Sequence, residues 1–282
     1  MDLPSSRLGS DAPVVWGVLN VTPDSFSDGG RFASVDQAVD HGRRMFEMGA
    51  DVIDVGGEST RPGAERISVE QELDRVLPVV TGLIAAGVPV SVDTMRSRVA
   101  AAACEHGASI VNDVSGGLAD DEMIRTVAQL RVPYVAMHWR GQSRTMDDKA
   151  SYVDPVAEVI SELTERVHVA REGGIDPSKI IIDPGFGFAK NPEQNWAVLR
   201  NVDRLAVIDQ PVLIGASRKR FLGALLSDES GIMRPVEERD VATAAISAMV
   251  TQRGVWGVRV HDVGATVDAI KVALAMMGRF GP

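Results

Sequence analysis

Asp51-Val52-Ile53-Asp54-Val55-Gly56-Gly57 runs straight into Glu58-Ser59-Thr60-Arg61-Pro62-Gly63. A stretch that suits a strand covered on both faces gives way at once to a turn of charge, hydroxyl and proline. The same change recurs along the chain. Val14-Val15-Trp16-Gly17-Val18-Leu19 ends in Asn20, Pro89-Val90-Ser91-Val92 in Asp93-Thr94, and Ser109-Ile110-Val111 in Asn112-Asp113. Pro133-Tyr134-Val135-Ala136-Met137 ends in His138-Trp139, and Ile180-Ile181-Ile182 in Asp183-Pro184-Gly185. Pro211-Val212-Leu213-Ile214-Gly215-Ala216 ends in Ser217-Arg218-Lys219, and Gly254-Val255-Trp256-Gly257-Val258 in Arg259-Val260-His261-Asp262. Eight short β-rich runs each meet a polar cluster.

Helical spacing fills the intervals. Val35–Met48 carries Val35, Ala38, Val39, Met45 and Phe46; Val69–Ala86 carries Leu73, Val76, Leu77, Val80 and Ile84. Arg98–His106, Glu122–Leu130, Val156–Glu172 and Gln194–Leu205 follow the same habit. Apolar residues three or four apart make one buried stripe. Strand and helix therefore alternate every ~30 to 40 residues, as right-handed parallel units require. Eight such units predict a single α/β domain, a (β/α)8 TIM barrel, over residues 14–282. An open doubly wound sheet is the rival, but no G-x-G-x-x-G follows the first strand.

Composition agrees with one globular domain: of 282 residues, 45% are hydrophobic and 24% charged. No apolar span is long enough to cross a bilayer. Residues 1–13 are polar, lack the apolar centre of a signal peptide, and read as a flexible tail. One cysteine, Cys104, rules out an internal disulfide and suits a reducing cytoplasm; its alanine-rich surroundings suit a packed helix. A net charge of −10 argues against a nucleic-acid surface.

A barrel gathers its chemistry at the carboxyl ends of its strands. That rule brings Asn20, Thr60, Arg61, Asp93, Asn112, Met137, Asp183, Lys219, Arg259 and His261 to one mouth. Asp93, Asn112 and Asp183 suit the donor edge of a flat heterocycle, and Lys219 an acceptor on its other edge. Arg61, Arg259, His261 and Asn20 suit a phosphate, directly or through a hard metal ion. Singly, an Asp or Asn at a strand end is more often a helix cap, and a lone Lys or Arg a solvated charge. Together they form one heterocycle set and one phosphate set, which favours the functional reading. The loop Asn20–Gly30, with Pro23 and paired glycines at Gly29-Gly30, suits closure over a ligand.

The motifs Asn20–Gly30, Asp54–Gly63 (D-V-G-G-E-S-T-R-P-G), Ser91–Thr94, Val111–Gly117, Met137-His138, Asp183–Lys190 (D-P-G-F-G-F-A-K), Gly215–Lys219 and Arg259–Val263 span nearly the whole chain. In that order they closely resemble the dihydropteroate synthase family. The resemblance implies condensation of 6-hydroxymethyl-7,8-dihydropterin diphosphate with 4-aminobenzoate, giving 7,8-dihydropteroate and pyrophosphate. Carried over by position, Asp93, Asn112, Asp183 and Lys219 hold the pterin and Met137 lies against it. Asn20 contacts Mg2+ on the diphosphate, and Thr60, Arg61, Arg259 and His261 hold the diphosphate itself. Phe26, Pro62, Phe188 and Lys219 form much of the aminobenzoate pocket, while Asp28 sits on the first loop, near the reacting methylene. Arg61 and Lys219 join Asp28 as the catalytic set.

Some family members carry Ser directly after the matching Lys. Arg220 stands there in this chain and adds positive charge beside the backbone N–H groups that open Phe221–Leu226, either of which suits the aminobenzoate carboxylate. Asp240–Val250 and Val267–Met277 are apolar nearly all round, and the resemblance implies a homodimer through this part of the barrel. It also implies competition by sulfonamides. Two alternatives remain at this point: a pterin-dependent methyltransferase domain, and a pterin-binding paralogue without activity.

Overall fold

A computed structural model describes residues 2–22, 30–59, 66–141 and 149–279, with backbone only for 30–34. Its eight strands are β1 (Val14–Asn20), β2 (Val52–Gly56), β3 (Val90–Asp93), β4 (Ile110–Asp113), β5 (Tyr134–Met137), β6 (Ile180–Asp183), β7 (Leu213–Ile214) and β8 (Gly257–Val260). All pair in parallel in the order β6-β5-β4-β3-β2-β1-β8-β7, and a parallel bridge from Ile182 to Val212 joins the two ends. The expected (β/α)8 barrel is the observed one.

Helices α1 (Gly30–Glu47), α2 (Val69–Ala85), α3 (Ser97–Glu105), α4 (Met123–Leu130), α5 (Pro155–Glu172) and α6 (Pro192–Arg200) each follow a strand. Local chemistry sets several starts. Ser68 and Gln71 form a capping box on α2, and Asn191 and Gln194 repeat it on α6. Asp154 caps α5 just before Pro155, and Asp262 caps the last helix, α9 (Val263–Met276). The stripe expected over Gln194–Leu205 divides into α6 and a 3-10 turn, Val202–Ile208, around Asn201. Between β7 and its outer helix α8 (Asp240–Thr251) sits a short extra helix, α7 (Arg220–Leu225).

Strand pleating sorts side chains between two cores. Val15, Leu19, Ile53, Val55, Val92 and Val111 face outward under the helices. Val14, Trp16, Val52, Ile110, Val135, Ile181 and Leu213 form an apolar floor inside the barrel, with Leu3 and Trp256 against it. One pleat further along the same inward rows stand Asp54, Asn112, Met137, Asp183 and Arg259, above that floor. The stretch read as a flexible tail makes specific contacts at the amino end: Arg7 N–H donates to Asp51 Oδ1 at 2.7 Å and its guanidinium to Phe46 O at 2.7 Å.

Candidate active site

Parallel register aligns the polar residues in a ring: Asn20 pairs with Gly56, Gly56 with Asp93, Asp93 with Asn112, and Met137 with Asp183. Arg259 reaches across the barrel from β8. Its Nε donates to Asp54 Oδ2 at 2.5 Å and its Nη2 to Asp93 Oδ2 at 2.6 Å. Asn112 Nδ2 donates to the same Asp54 oxygen at 2.9 Å. Burial raises the Asp93 carboxyl to about 7, against the pull of Arg259 and with Asp54 adding to the rise. Opposing burial, Asp54 and Asp93 push the Arg259 guanidinium further up. Asp54 Oδ1 and Ser91 Oγ are buried without a hydrogen-bond partner among the described residues, so polar demand is left over inside the mouth.

Asp183 ends β6. Its Oδ1 accepts from Gly185 N–H at 2.7 Å, while its Oδ2 leans over Gly215, where a Cβ would come within 3.0 Å. Burial raises its pKa; the Gly185 N–H and the Lys219 charge oppose the rise. Lys219 lies at the start of α7 with Nζ 4.1 Å from the Phe188 ring centre, a cation–π contact. Burial and then Arg259 lower Lys219 to about 8, against Asp183 and Asp93. Gly187 makes room for this side chain: at φ +75, a Cβ there would meet Lys219 Cδ at 2.8 Å. Met137, Phe188, Val114 and Ala189 pack together as an apolar wall, with Met95 and Trp139 against them.

His261 follows β8, its Nδ1 2.9 Å from Ser217 Oγ, and its backbone N–H donates to that oxygen at 3.2 Å. Of the basic run after β7, Lys219 alone turns into the mouth. Arg218, at φ +59, makes a two-pronged bond to Asp240 at 2.8 and 2.7 Å, and Arg220 is exposed on α7. Asn20 is half-buried at the end of β1, opposite Gly56.

The structure thus brings Asp93, Asn112, Met137, Asp183, Phe188, Lys219 and Arg259 to one mouth, with Asn20 and His261 at the ends of β1 and β8. Phe26, Asp28, Thr60, Arg61 and Pro62 lie outside the described residues. Asp54 was not singled out from the sequence, although it holds both Arg259 and Asn112; an acid at inward parity in an apolar strand was the signal. Buried Lys190 and His138 form a second polar chain behind Asp183 that ends on the partly exposed Glu162. Among the described residues no cluster of His, Cys, Asp and Glu is arranged to hold a metal. No helix of the described residues is long and apolar enough to cross a membrane.

The family described as pterin binding enzyme matches residues 16–261. Dihydropteroate synthase of Mycobacterium leprae is 53% identical over 268 residues, 94% of each chain. Dihydropteroate synthase of Xanthomonas albilineans, solved with 4-aminobenzoic acid, superposes with a TM-score of 0.87 at 45% identity, covering 97% of this chain and 98% of that one. The same enzyme solved with 7,8-dihydropteroate gives a TM-score of 0.84 at 43% identity, covering 95% and 94%. Both enzymes are synthases, which sets aside the methyl-transfer alternative.

Proposed function

The chain belongs to the pterin-binding enzyme family, and from that premise we propose how its barrel mouth carries out the dihydropteroate synthase reaction. The reaction condenses 6-hydroxymethyl-7,8-dihydropterin diphosphate with 4-aminobenzoate. The arylamine nitrogen bonds to the pterin methylene, the C–O bond breaks, pyrophosphate leaves with the electron pair, and an amine proton is released. The observation that supports the residue assignment is the network in which Arg259 donates to Asp54 and Asp93 while Asn112 donates to Asp54, beside Asp183 and Lys219.

Asp93, Asn112 and Asp183 accept from, or donate to, the pterin edge, at roughly 1.5–3 kcal/mol for each charged bond. Lys219 donates to the opposite edge, and Met137 supplies the apolar face. Phe188 and Lys219, with Phe26, Pro62 and Arg220, form the aminobenzoate side. Arg259 and His261, with Thr60 and Arg61, take the diphosphate. Cationic side chains around the leaving group disperse its charge, so no protein nucleophile is needed. Asp28 stabilises the positive charge that grows on the methylene as the C–O bond opens.

Asn20 is the candidate contact for Mg2+. Its side-chain amide makes no hydrogen bond to another described residue, and a cation carried on diphosphate oxygens and waters needs few protein ligands. When bound, the ion would add charge neutralisation at the departing pyrophosphate.

Homodimerisation through α8 and α9 is part of the same reading, supported by Val241, Met249, Val272 and Met276, which are exposed on their outer faces. A monomer at micromolar concentration in sedimentation would remove it. A cytoplasmic setting fits the lone, half-buried Cys104 thiol, which burial pushes up to about 11. The deciding assay mixes protein, Mg2+, pterin diphosphate and 4-aminobenzoate and follows pyrophosphate. Release that depends on aminobenzoate, and that sulfonamides inhibit, supports the reading. Release indifferent to aminobenzoate ends it.

A further inference from the structure

Lys190 takes no part in the chemistry above, yet its side chain is enclosed, with the residue 7% exposed. Its Nζ lies 2.9 Å from His138 Nδ1, 3.1 Å from Gly185 O and 3.3 Å from Phe188 O. Burial lowers Lys190 to about 7; below that value it is an ammonium with three protons and no lone pair, so these partners use its whole capacity and His138 Nδ1 accepts. The His138 proton then sits on Nε2, which donates to Glu162 Oε2 at 3.0 Å; Arg140 holds both Glu162 oxygens from Nε at 3.1 Å. Burial, reinforced by Lys190, lowers His138 to about 4 and so keeps that ring neutral.

The two carbonyls belong to the loop 184–189, whose ends serve different substrates. Gly185 N–H orients the Asp183 carboxylate at 2.7 Å, and the Phe188 ring lies beneath the Lys219 ammonium. The loop turns through left-handed backbone at Gly185 (φ +69), Gly187 (φ +75) and Ala189 (φ +43). Alanine is strained there and persists because the surrounding bonds over-determine it. Lys190 follows Ala189 directly and ties down the carbonyls at both ends of the strained turn.

We propose that Lys190 is a positioning residue that couples the two substrate pockets, pinning the loop 184–189 so that the Asp183 carboxylate and the Phe188 ring are presented together. The inference rests on Asp183 serving the pterin and Phe188 the aminobenzoate. Lys190→Met keeps the length and apolar stem of the side chain and removes all three donors. It raises both the Kd for pterin diphosphate and the KM for aminobenzoate at saturating pterin, each on the order of tenfold. Turnover at saturation of both substrates changes by less than about threefold, because no reacting atom is touched. Asp183→Ala weakens chiefly the pterin, and Phe188→Ala chiefly the aminobenzoate. A Lys190→Met enzyme that loses neither affinity, only one, or turnover alone overturns the coupling. Near-normal pterin affinity in Asp183→Ala overturns the pocket assignment and the inference with it. Should Lys190→Met fail to fold, the wild-type enzyme still decides. Side-chain 15N resonances of His138, read between its own value of about 4 and the Lys190 value of about 7, should show a bare Nδ1 and a protonated Nε2. A protonated Nδ1 means that Lys190 does not donate to it, and the tripod is wrong.

Discussion

Arg259 and Asp93 lie 166 positions apart in sequence, yet Arg259 Nη2 donates to Asp93 Oδ2 at 2.6 Å inside the barrel. The guanidinium expected on the diphosphate is thereby tied to a carboxylate expected on the pterin. Its Nε is held by Asp54 as well, so the three side chains form one partly buried unit. On the proposed assignment, pterin donors arriving at Asp93 meet a carboxylate whose Oδ2 Arg259 already holds.

Asp54 is the pivot of that unit. Asp54→Ala leaves Arg259 Nε and Asn112 Nδ2 without their acceptor in an enclosed site. Breaking a buried pair from one side costs ~3–5 kcal/mol, and Arg259, about one-fifth exposed at 19%, places this case toward the lower end. Asp54→Asn keeps an oxygen for Arg259 and should lose less. Urea unfolding, with pterin diphosphate affinity measured in parallel, checks both. An alanine variant of unchanged stability and affinity would show that Asp54 is a bystander.

The mouth also carries a pH signature. On the proposed assignment Asp93 accepts from the pterin as a carboxylate, and its carboxyl is held up to about 7, so activity should rise with pH through that value. Lys219 in its proposed role donates as an ammonium held down to about 8, so activity should fall above that value. A narrow bell in kcat/KM for pterin diphosphate follows, centred between the two. Arg stays charged across this range, so Lys219→Arg should lose the alkaline limb even at reduced activity. A variant that keeps the wild-type alkaline limb would assign it to another group.

The eight-fold alternation was legible because each strand is an apolar run that stops at a polar residue, and parallel barrels place those stops together. Asp93, Asn112, Met137 and Asp183 close such runs, and in the barrel they occupy inward rows of their strands. What escaped were relations across space. Asp54 sits inside a run read as strand, and its partners are 58 and 205 residues away. Lys190 was visible in a motif, but its histidine is 52 residues distant. Arg218, Lys219 and Arg220 look alike in sequence, and the left-handed turn at Arg218 separates their directions. The contacts of Arg7 were equally hidden, since Asp51 lies 44 positions away.

The proposed Mg2+ contact at Asn20 is separable from the proposed pterin contacts. Asn20→Ala removes that proposed oxygen ligand and leaves Asp93, Asn112, Asp183 and Lys219 in place. The Mg2+ concentration for half-maximal activity should rise on the order of tenfold, about 1.4 kcal/mol. Affinity for the pterin alcohol, which carries no diphosphate, should stay unchanged. Titrating Mg2+ in the pyrophosphate assay and the alcohol by calorimetry reads the two separately. An unshifted Mg2+ requirement would move the ion to other ligands.

The opposite end of the barrel should behave differently. Asp51 is buried just before β2, where Oδ1 accepts from Arg7 N–H and Oδ2 from Val15 N–H, both at 2.7 Å. Arg7 adds bonds to Phe46 O at 2.7 Å and Ala50 O at 3.3 Å, and lies 4.4 Å over the Phe46 ring. This closes the amino end beneath the apolar floor, away from the strand ends where chemistry collects. Asp51→Ala strips two backbone donors of their acceptor, at ~1–3 kcal/mol for each group left buried and unsatisfied. Thermal unfolding should therefore shift down by several degrees, about 2–4 °C per kcal/mol at this chain length. KM for both substrates should stay at the wild-type value below the transition. A raised KM with an unchanged melting temperature would mean that this staple reaches the mouth after all.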